Sequence, residues 1–285
     1  MGAGTWNRQS FVNYSASKGM SVNNGAIVGN YNVQDMFVSR NLDTTLNPKN
    51  VTRECCDSLE HPDVIPVILA LDVTGSMGSA AMEVAKKLNL VMTDLYDRMK
   101  DVEFMIMGIG DLAYDHAPIQ ASQFESDIRI AEQLDKVFFE SGGGGNGFES
   151  YTAAWYFALN HTNIDAILKR NKKGIIITLG DEPINPYLPC KPLKNACGLN
   201  QSNRYKLFDV SLEEDIETKA LYETVDNYFE LYHIHVDHDS NYYGKRATDS
   251  FANVIGKNRV VESTIDMVPD NIVNIVLNNA NHNIK

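Results

Sequence analysis

The sequence is poor in cysteine, and its cysteines are not spaced as in a zinc ribbon. Four of the 285 residues are cysteine: Cys55 and Cys56 are adjacent, and six residues separate Cys190 from Cys197. A chain of this length can bury a sufficient apolar core without disulfide bonds. We therefore expect free thiols in a reducing compartment, with a Cys190–Cys197 disulfide as the alternative.

Long apolar runs are absent, and positive charge is scarce. No run approaches the roughly 20 apolar residues that cross a bilayer, and the first residues lack the apolar core of a secretion signal. Lys and Arg number 25 against 37 Asp and Glu, which gives a net charge of −12. Such an acidic surface repels nucleic acid and anionic membranes. We expect a cytoplasmic protein with neither a nucleic-acid nor a membrane partner.

Residues 1–60 are rich in Asn, Ser, Gly and Thr and show little periodicity, which predicts an irregular N-terminal arm. From residue 61 to 285, apolar runs alternate with amphipathic segments, and this alternation predicts an α/β domain. The fold class is a doubly wound, mostly parallel central sheet with helices on both faces. Residues 182–212 form a long loop with little pattern. The predicted strands are 64–71, 102–109, 174–179, 229–236 and an edge strand at 260–261, and the predicted helices are 79–99, 127–139, 151–160, 213–228 and 269–279.

Hard oxygen ligands follow the first of these strands. Asp72, Thr74 and Ser76 alternate along the chain, and alternate residues of an extended segment point the same way. Carboxylate and hydroxyl oxygens suit Mg²⁺, Mn²⁺ or Ca²⁺. The alternative is that these residues only cap the following helix, because Asp, Ser and Thr are favoured at helix N-termini.

The segment Asp72-Val73-Thr74-Gly75-Ser76 resembles the first loop of the metal-ion-dependent adhesion site of von Willebrand factor A (vWA) domains. In that family a second loop supplies a Thr, a position that corresponds here to Glu149 in a glycine-rich segment. A third loop supplies an Asp after an apolar strand, which corresponds to Asp181. The resemblance covers residues 61–285 and implies a Rossmann-like vWA fold. It also implies a metal site whose ligands would be Asp72, Thr74, Ser76, Glu149 and Asp181, with Ser150 or Thr152 as alternatives to Glu149.

Three carboxylates around one dication predict tight metal retention and a weak demand for an acidic partner residue. The resemblance is to bacterial and phage vWA proteins of the intracellular type, and it implies an adaptor that binds a protein partner through the metal-site face. The partner would belong to an AAA+ ATPase or kinase system. This predicts a protein that is not an enzyme. Two alternatives remain: a structural component of a phage particle or other assembly, and a metal-dependent phosphoester hydrolase. No Lys or Arg is evident near the ligands in the sequence, which weighs against the hydrolase.

Three further motifs have weaker functional interpretations. The segment Gly108-Ile109-Gly110-Asp111 lacks the third glycine of a dinucleotide loop, so Asp111 is interpreted as an acid on the rim of the site. The glycines at 142–145 lack the Lys-Ser/Thr of a phosphate-binding loop and are interpreted as a flexible connection to Glu149. A zinc site is the alternative to ordinary packing for a cluster near one strand end, formed by His233, His235, His238, Asp237 and Asp239.

Overall fold

A computed structural model of the chain describes residues 4–99, 101–140, 147–199, 213–236 and 242–282. The strands are β1 Ser21–Asn23, β2 Ala26–Val28, β3 Arg53–Cys55, β4 Ile65–Asp72, β5 Val102–Ile109, β6 Ile119–Ala121, β7 Thr162–Ile164, β8 Gly174–Gly180, β9 Tyr187–Leu188, β10 Ile216–Glu217, β11 Phe229–Val236 and β12 Val260–Ser263. The α-helices are α1 Arg8–Ser17, α2 Val33–Met36, α3 Gly78–Arg98, α4 Arg129–Leu134, α5 Thr152–Asn160, α6 Asp165–Leu168, α7 Cys190–Cys197, α8 Thr218–Val225, α9 Tyr242–Ile255 and α10 Val268–His282.

A six-stranded sheet in the order β12-β11-β8-β4-β5-β6 forms the centre of the molecule. Its strands run parallel except β6, which pairs antiparallel with β5 at one edge. Strand β4 lies between β5 and β8 and is apolar along its length because both of its faces are covered. Pro66 is its second residue, near the strand start, where a missing backbone donor is best tolerated.

Helices cover both faces of the sheet. Alternate β4 residues enter different cores: Val67 and Leu69 face one side, and Ile68 and Ala70 face the other. The first core is closed chiefly by α3 and α10, and the second by α5, α8 and α9. The predicted doubly wound, mostly parallel α/β architecture is confirmed.

The strand order places a topological switch point between β4 and β8. From β4 the chain continues to β5 on one side, whereas from β8 it continues to β11 on the other side. The connections therefore diverge beyond the carboxyl ends of β4 and β8. Such a crevice is where ligands bind in open α/β sheets.

Several elements differ from the expectations. Helix α9 and the antiparallel strand β6 were not predicted, and α4 and α8 are shorter than expected. Part of the predicted long loop is structured, because α7 lies within it and β9 pairs with β10. Residues 200–212, the rest of that loop, lie outside the described residues.

The N-terminal segment was expected to be irregular, and between its irregular stretches it contains α1, the β1–β2 hairpin and α2. Asn7 caps α1, and Asn32 forms a capping box with Asp35 at the start of α2. Phe11 and Phe37 are buried in the core that also contains α3. Described residues of this segment therefore pack on the main sheet domain.

Two further expectations concern cysteine and membrane. The four cysteines are free, as the sequence predicts. Within the described part of the chain, no helix combines the length and the apolar character needed to cross a bilayer.

Candidate functional site

The two candidate aspartates lie at the ends of neighbouring strands. Asp72 is the last residue of β4, and Asp181 comes directly after β8. Leu71 lies beside Leu179 in the parallel register, so both acids leave the sheet at the same edge. The negative charge of Asp181 contributes to the raised pKa of Asp72, although burial is the main cause. The structure brings this predicted pair together at the switch point.

Asp72 is buried and accepts hydrogen bonds on both carboxylate oxygens. Its Oδ1 accepts from the backbone N of Thr74 at 2.9 Å and from Thr74 Oγ1 at 2.6 Å. Its Oδ2 accepts from the hydroxyl of Tyr151 at 2.7 Å. Burial raises the pKa of Asp72 to about 7, although the hydrogen bonds from Thr74 and Tyr151 act in the opposite direction. A nearby cation would favour the charged form.

Thr74 and Ser76 lie on the loop that leaves β4. Thr74 is extended, with φ −75° and ψ 164°, and precedes the 3₁₀ turn Gly75–Met77. Thr74 is buried and Ser76 is exposed. Because the Thr74 hydroxyl donates its proton to Asp72, its oxygen keeps lone pairs for another partner. This loop therefore carries one buried hydroxyl, that of Thr74, and one exposed hydroxyl, that of Ser76.

The segment that contains Glu149 is held on two sides by the backbone. The Ser150 N–H donates to the carbonyl of Gly110 at 3.3 Å, and the Leu112 N–H donates to Ser150 Oγ at 3.1 Å. On the other side, Glu149 forms an isolated parallel bridge with Ile184. These contacts anchor the segment between the loops that follow β5 and β8.

Glu149 is an acid buried among acids. Only 5% of the residue is exposed, and its Oε2 has no hydrogen-bond partner among the described residues. Burial raises the pKa of Glu149 to about 10, and the charges of Asp72, Asp115 and Asp111 contribute further. Each of these interactions disfavours a bare carboxylate, so a cation at this position would relieve them.

The two residues considered as alternatives to Glu149 have different surroundings. Ser150 Oγ accepts the hydrogen bond from the Leu112 N–H, so it joins two loops. Thr152 begins α5, and its buried Oγ1 has no hydrogen-bond partner in the part of the chain that the structure describes. Thr152 is therefore the better placed of the two hydroxyls to serve as a ligand.

Asp111 lies on the rim loop after β5, where the sequence places it. Its Oδ1 accepts from the Ala113 N–H at 2.7 Å, and its own N–H donates to Asp115 Oδ2 at 2.7 Å. A Cβ at Gly110 would meet the Asp115 carboxylate, which would then have to move from its position beside the Asp111 N–H. Asp111 and Asp115 thus form a second layer of negative charge beside Glu149.

Sequence reasoning missed Tyr151 as a functional residue. It lies between Glu149 and the first turn of α5, and its hydroxyl reaches Asp72, 79 residues earlier in the chain. The residue is fully buried. Its place in the Glu149-Ser150-Tyr151-Thr152 segment is a signal, but nothing local identifies the partner of the hydroxyl.

The histidines on β11 are packed in the core. His233 is fully buried, its Nδ1 lies 2.9 Å from Thr178 Oγ1, and its ring stacks on Phe251 with 3.5 Å between centroids. Burial lowers the pKa of His233 well below its usual value. The other members of the proposed zinc cluster, His238, Asp237 and Asp239, lie outside the described residues, as do the glycines at 142–145.

The carboxylates of the candidate site do not by themselves form a set of metal ligands. Among residues that the structure describes, no group of three or more His, Cys, Asp or Glu side chains is positioned to hold a metal ion. The donor set that fits a hard cation therefore combines a carboxylate with hydroxyls from two of the loops, those of Thr74, Ser76 and Thr152. Water completes such sites in proteins.

A positively charged side chain lies nearer the site than the sequence suggests. Arg246 on α9 places its guanidinium 5.2 Å from the ring centroid of Phe148, the residue before Glu149. Its charge also opposes the rise in the pKa of Glu182, which burial and the charge of Asp181 produce. Arg246 could not be placed near these loops from the sequence, because α9 was not predicted.

No protein-family model matches the chain, and no curated protein matches it. Solved structures with a similar course of the chain include the pilus adhesin SpaC from Lactobacillus rhamnosus GG in its open conformation. SpaC is 13% identical, with a TM-score of 0.48 over 81% of this chain, which spans 31% of the SpaC chain. Another is the vWF domain of the type V pili tip protein Mfa5 from Porphyromonas gingivalis. It is 12% identical, with a TM-score of 0.46 over 75% of this chain and 95% of that domain.

Similarity at this level does not transfer ligands or partners. The architecture follows from the strand order and registers of the chain itself. This chain is an α/β protein with a six-stranded, mostly parallel sheet, and acidic and hydroxyl side chains from three loops meet at its switch point.

Proposed function

We propose that this chain is a vWA-type protein-interaction module that binds one divalent cation at the carboxyl ends of β4 and β8. Mg²⁺ is the proposed cation, with Mn²⁺ or Ca²⁺ as substitutes. The candidate ligands are those of the sequence prediction: Asp72, Thr74, Ser76, Glu149 and Asp181.

One observation carries this proposal: two interacting carboxylates, those of Asp72 and Glu149, are buried beside further acids. Asp72 and Glu149 are each at least 95% buried, since 1% and 5% of them are exposed. Within the described residues, no Lys, Arg or His forms an ion pair with either of them. Buried charges are normally paired or coordinate metals. A dication at the switch point would compensate them.

The cation would supply fixed positive charge at the mouth of the crevice. Asp72 is best placed to contribute a carboxylate oxygen, and Thr74 and Thr152 have hydroxyl oxygens available. Ser76 is exposed, so its hydroxyl would be accessible to a partner. Protein-bound Mg²⁺ usually keeps several waters. A side chain of a partner protein can displace one of them.

The electrostatics of the rim favour a partner that is not acidic. The charges of Asp111, Asp115 and Glu182 all act on Glu149. Together with the net charge of −12, they would outweigh one dication. We propose a neutral or basic partner surface in the cytoplasm, for example on an AAA+ ATPase or kinase. Retention of the protein on such a partner in Mg²⁺, and its release by EDTA, tests this part of the proposal.

The metal proposal is tested by thermal unfolding of wild type and Asp72→Asn with and without Mg²⁺. A ligand that binds only the folded state at 100 times its Kd stabilises by about 2.7 kcal/mol. We expect a rise in Tm of several degrees for wild type and none for the variant. Calorimetric titration with Mg²⁺ and Mn²⁺ gives the stoichiometry, for which we expect one.

Glu103→Gln is the matched control for this experiment. Glu103 is also a buried carboxylate on the sheet, but it is the second residue of β5, at the opposite end of the strands. The control should keep the full response to Mg²⁺. If wild type binds no divalent cation in the titration, the proposed function is wrong.

Arg246 provides a specific observation in favour of a second candidate function, phosphoester hydrolysis. A metal-dependent hydrolase needs positive charge to stabilise the leaving group, and Arg246 lies at the rim on α9. A screen of generic phosphoesters with Mn²⁺ tests this candidate. Turnover that disappears in both Asp72→Asn and Arg246→Gln would support a hydrolase over an adaptor.

A further inference from the structure

We propose that Tyr151 is a positioning residue that holds the Asp72 carboxylate in the orientation needed for cation binding. This inference rests on the proposed function, because it assigns a role to Tyr151 within the same site. The role assigned to Tyr151 is the hydrogen bond that its hydroxyl donates to Asp72.

Asp72 is held at both oxygens of its carboxylate. Thr74 donates two hydrogen bonds to Oδ1, and Tyr151 donates one to Oδ2 at 2.7 Å. Thr74 is two residues from Asp72 and moves with the same loop. Tyr151 belongs to another loop, so it is the contact that fixes the carboxylate relative to the rest of the site. Both lone pairs of Oδ1 are used by Thr74, whereas Oδ2 accepts only the Tyr151 bond and keeps a lone pair for a cation.

The position of the Tyr151 hydroxyl is itself fixed by packing on both sides of the residue. The ring is fully buried and makes edge contacts with His233 at 5.4 Å and with Phe251 at 5.3 Å between centroids. The hydroxyl end lies directly against Gly180, where any Cβ would overlap the phenol oxygen. Gly180 ends β8 immediately before Asp181.

Tyr151 therefore connects the three loops that form the candidate site. It belongs to the segment of Glu149, donates to the acid that ends β4, and packs on the residue before Asp181. A group that supports a ligand in this way sets its orientation, and loss of such supporting hydrogen bonds typically lowers metal affinity by roughly 10- to 100-fold.

A purely structural role for the hydroxyl makes a different prediction from a positioning role. Mg²⁺ requires nearly ideal octahedral geometry, whereas Ca²⁺ accepts variable ligand positions and numbers. If Tyr151 positions Asp72, loss of its hydroxyl should weaken Mg²⁺ binding more than Ca²⁺ binding. If the hydroxyl only stabilises the fold, the affinities for both ions should stay unchanged or fall together.

The experiment compares wild type, Tyr151→Phe and Tyr96→Phe by calorimetric titration with Mg²⁺ and with Ca²⁺. Tyr96→Phe is the matched control, because it also removes a hydroxyl that makes a 2.7 Å hydrogen bond, here to the carbonyl of Val102 at the far end of β5. For Tyr151→Phe we expect about a tenfold or greater loss of Mg²⁺ affinity and a smaller loss of Ca²⁺ affinity. The control should bind both ions as wild type does.

Equal loss for the two ions, or no loss, in folded Tyr151→Phe overturns the positioning role while the proposed metal site stands. Wild type that binds neither ion overturns the proposed function and this inference with it. If Tyr151→Phe does not fold, Gly180→Ala gives the second test, because its methyl group displaces the hydroxyl without removing it. A folded Gly180→Ala protein with unchanged Mg²⁺ affinity would also contradict the proposal.

Discussion

Two buried glutamates, Glu149 and Glu103, lie at opposite ends of the sheet and have different surroundings. Glu149 lies among other acids beyond the carboxyl ends of the strands, and burial and those charges raise its pKa. Glu103 lies near the start of β5, where burial raises its pKa to about 7. Only Glu149 has the hydroxyls and acids of the candidate site around it. Because of these surroundings, Glu149 is a candidate ligand, whereas the buried Glu103 is expected only to affect stability.

Replacement of Glu149 tests the charge balance of the site. A Thr at this position, as in the adhesion-type site, removes one negative charge from the surroundings of the cation. We expect Glu149→Thr to hold Mg²⁺ at least about tenfold less tightly than wild type. A chelator titration of the Mg²⁺-loaded proteins measures this, with Glu223→Thr on the exposed surface of α8 as the control. Equal retention by Glu149→Thr would show that Glu149 does not act on the cation.

Glu103 predicts a dependence of stability on pH. Its pKa is raised from 4.5 to about 7 in the folded state, mainly by burial. Between these two values the folded protein binds the proton that the unfolded chain has lost, so stability falls as pH rises through this window. The slope is about 1.4 kcal/mol per pH unit, which gives roughly 3 kcal/mol in total. Above pH 7 this group makes no further change.

The Glu103→Gln variant isolates this effect from other titrating groups. The free energy of unfolding of the variant relative to wild type should increase by up to about 3 kcal/mol from pH 4.5 to pH 7 and then level off. Urea unfolding at pH 5, 6, 7 and 8 measures the difference. A difference that does not change with pH would mean that Glu103 titrates normally in the folded protein.

At the scale of elements, the strands were easier to predict than the helices. The continuous apolar run of β11 was predicted at residues 229–236, which are the bounds that the structure gives. Helix α9 contains Gly244, Thr248 and Asp249 in its interior, residues with low helix propensity. Its packing against β11 and β12 stabilises it, and that packing is not visible in a local window.

Helix α1 was missed for a related reason. Its residues are largely polar, and Phe11 and Ser15 are its buried positions. Phe11 contacts Trp6 at 5.8 Å between ring centroids, and Trp6 Nε1 donates to Asn89 Oδ1 on α3 at 3.1 Å. A few well-placed contacts therefore attach α1 to the main domain, although its periodicity is weak.

Phe11→Ala tests this attachment of α1. Removing a fully buried phenylalanine should lower the free energy of unfolding by about 3 to 5 kcal/mol. Asn13→Ala, on the exposed side of the same helix, should change it by less than about 0.5 kcal/mol. Denaturant unfolding measures both. A loss below about 1 kcal/mol for Phe11→Ala would indicate that α1 adds little to the stability of the domain.

In the molecule as a whole, the apolar cores and the candidate binding site lie at different parts of the sheet. The bodies of β4, β5, β8 and β11 are buried in two apolar cores, which give the fold its stability. The acidic and hydroxyl residues of the candidate site lie beyond the carboxyl ends of β4, β5 and β8. Because the loops there are anchored to each other by hydrogen bonds such as Ser150 N to Gly110 O, a ligand would meet a preformed surface. Such preorganisation reduces the entropy lost on binding.

Local sequence patterns were sufficient to predict the parallel α/β class and the order of the candidate loops. Both depend on local signals: continuous apolar runs for buried strands, and acids or hydroxyls directly after them. Asp72 and Asp181 were recognisable in this way because parallel strands bring their carboxyl ends to one edge. Which residues far apart in the sequence contact each other could be seen only in the tertiary structure. The hydrogen bond from Tyr151 to Asp72, the approach of Arg246 to Phe148 and the docking of α1 on α3 join residues distant in the chain, and their geometry follows from how whole elements pack.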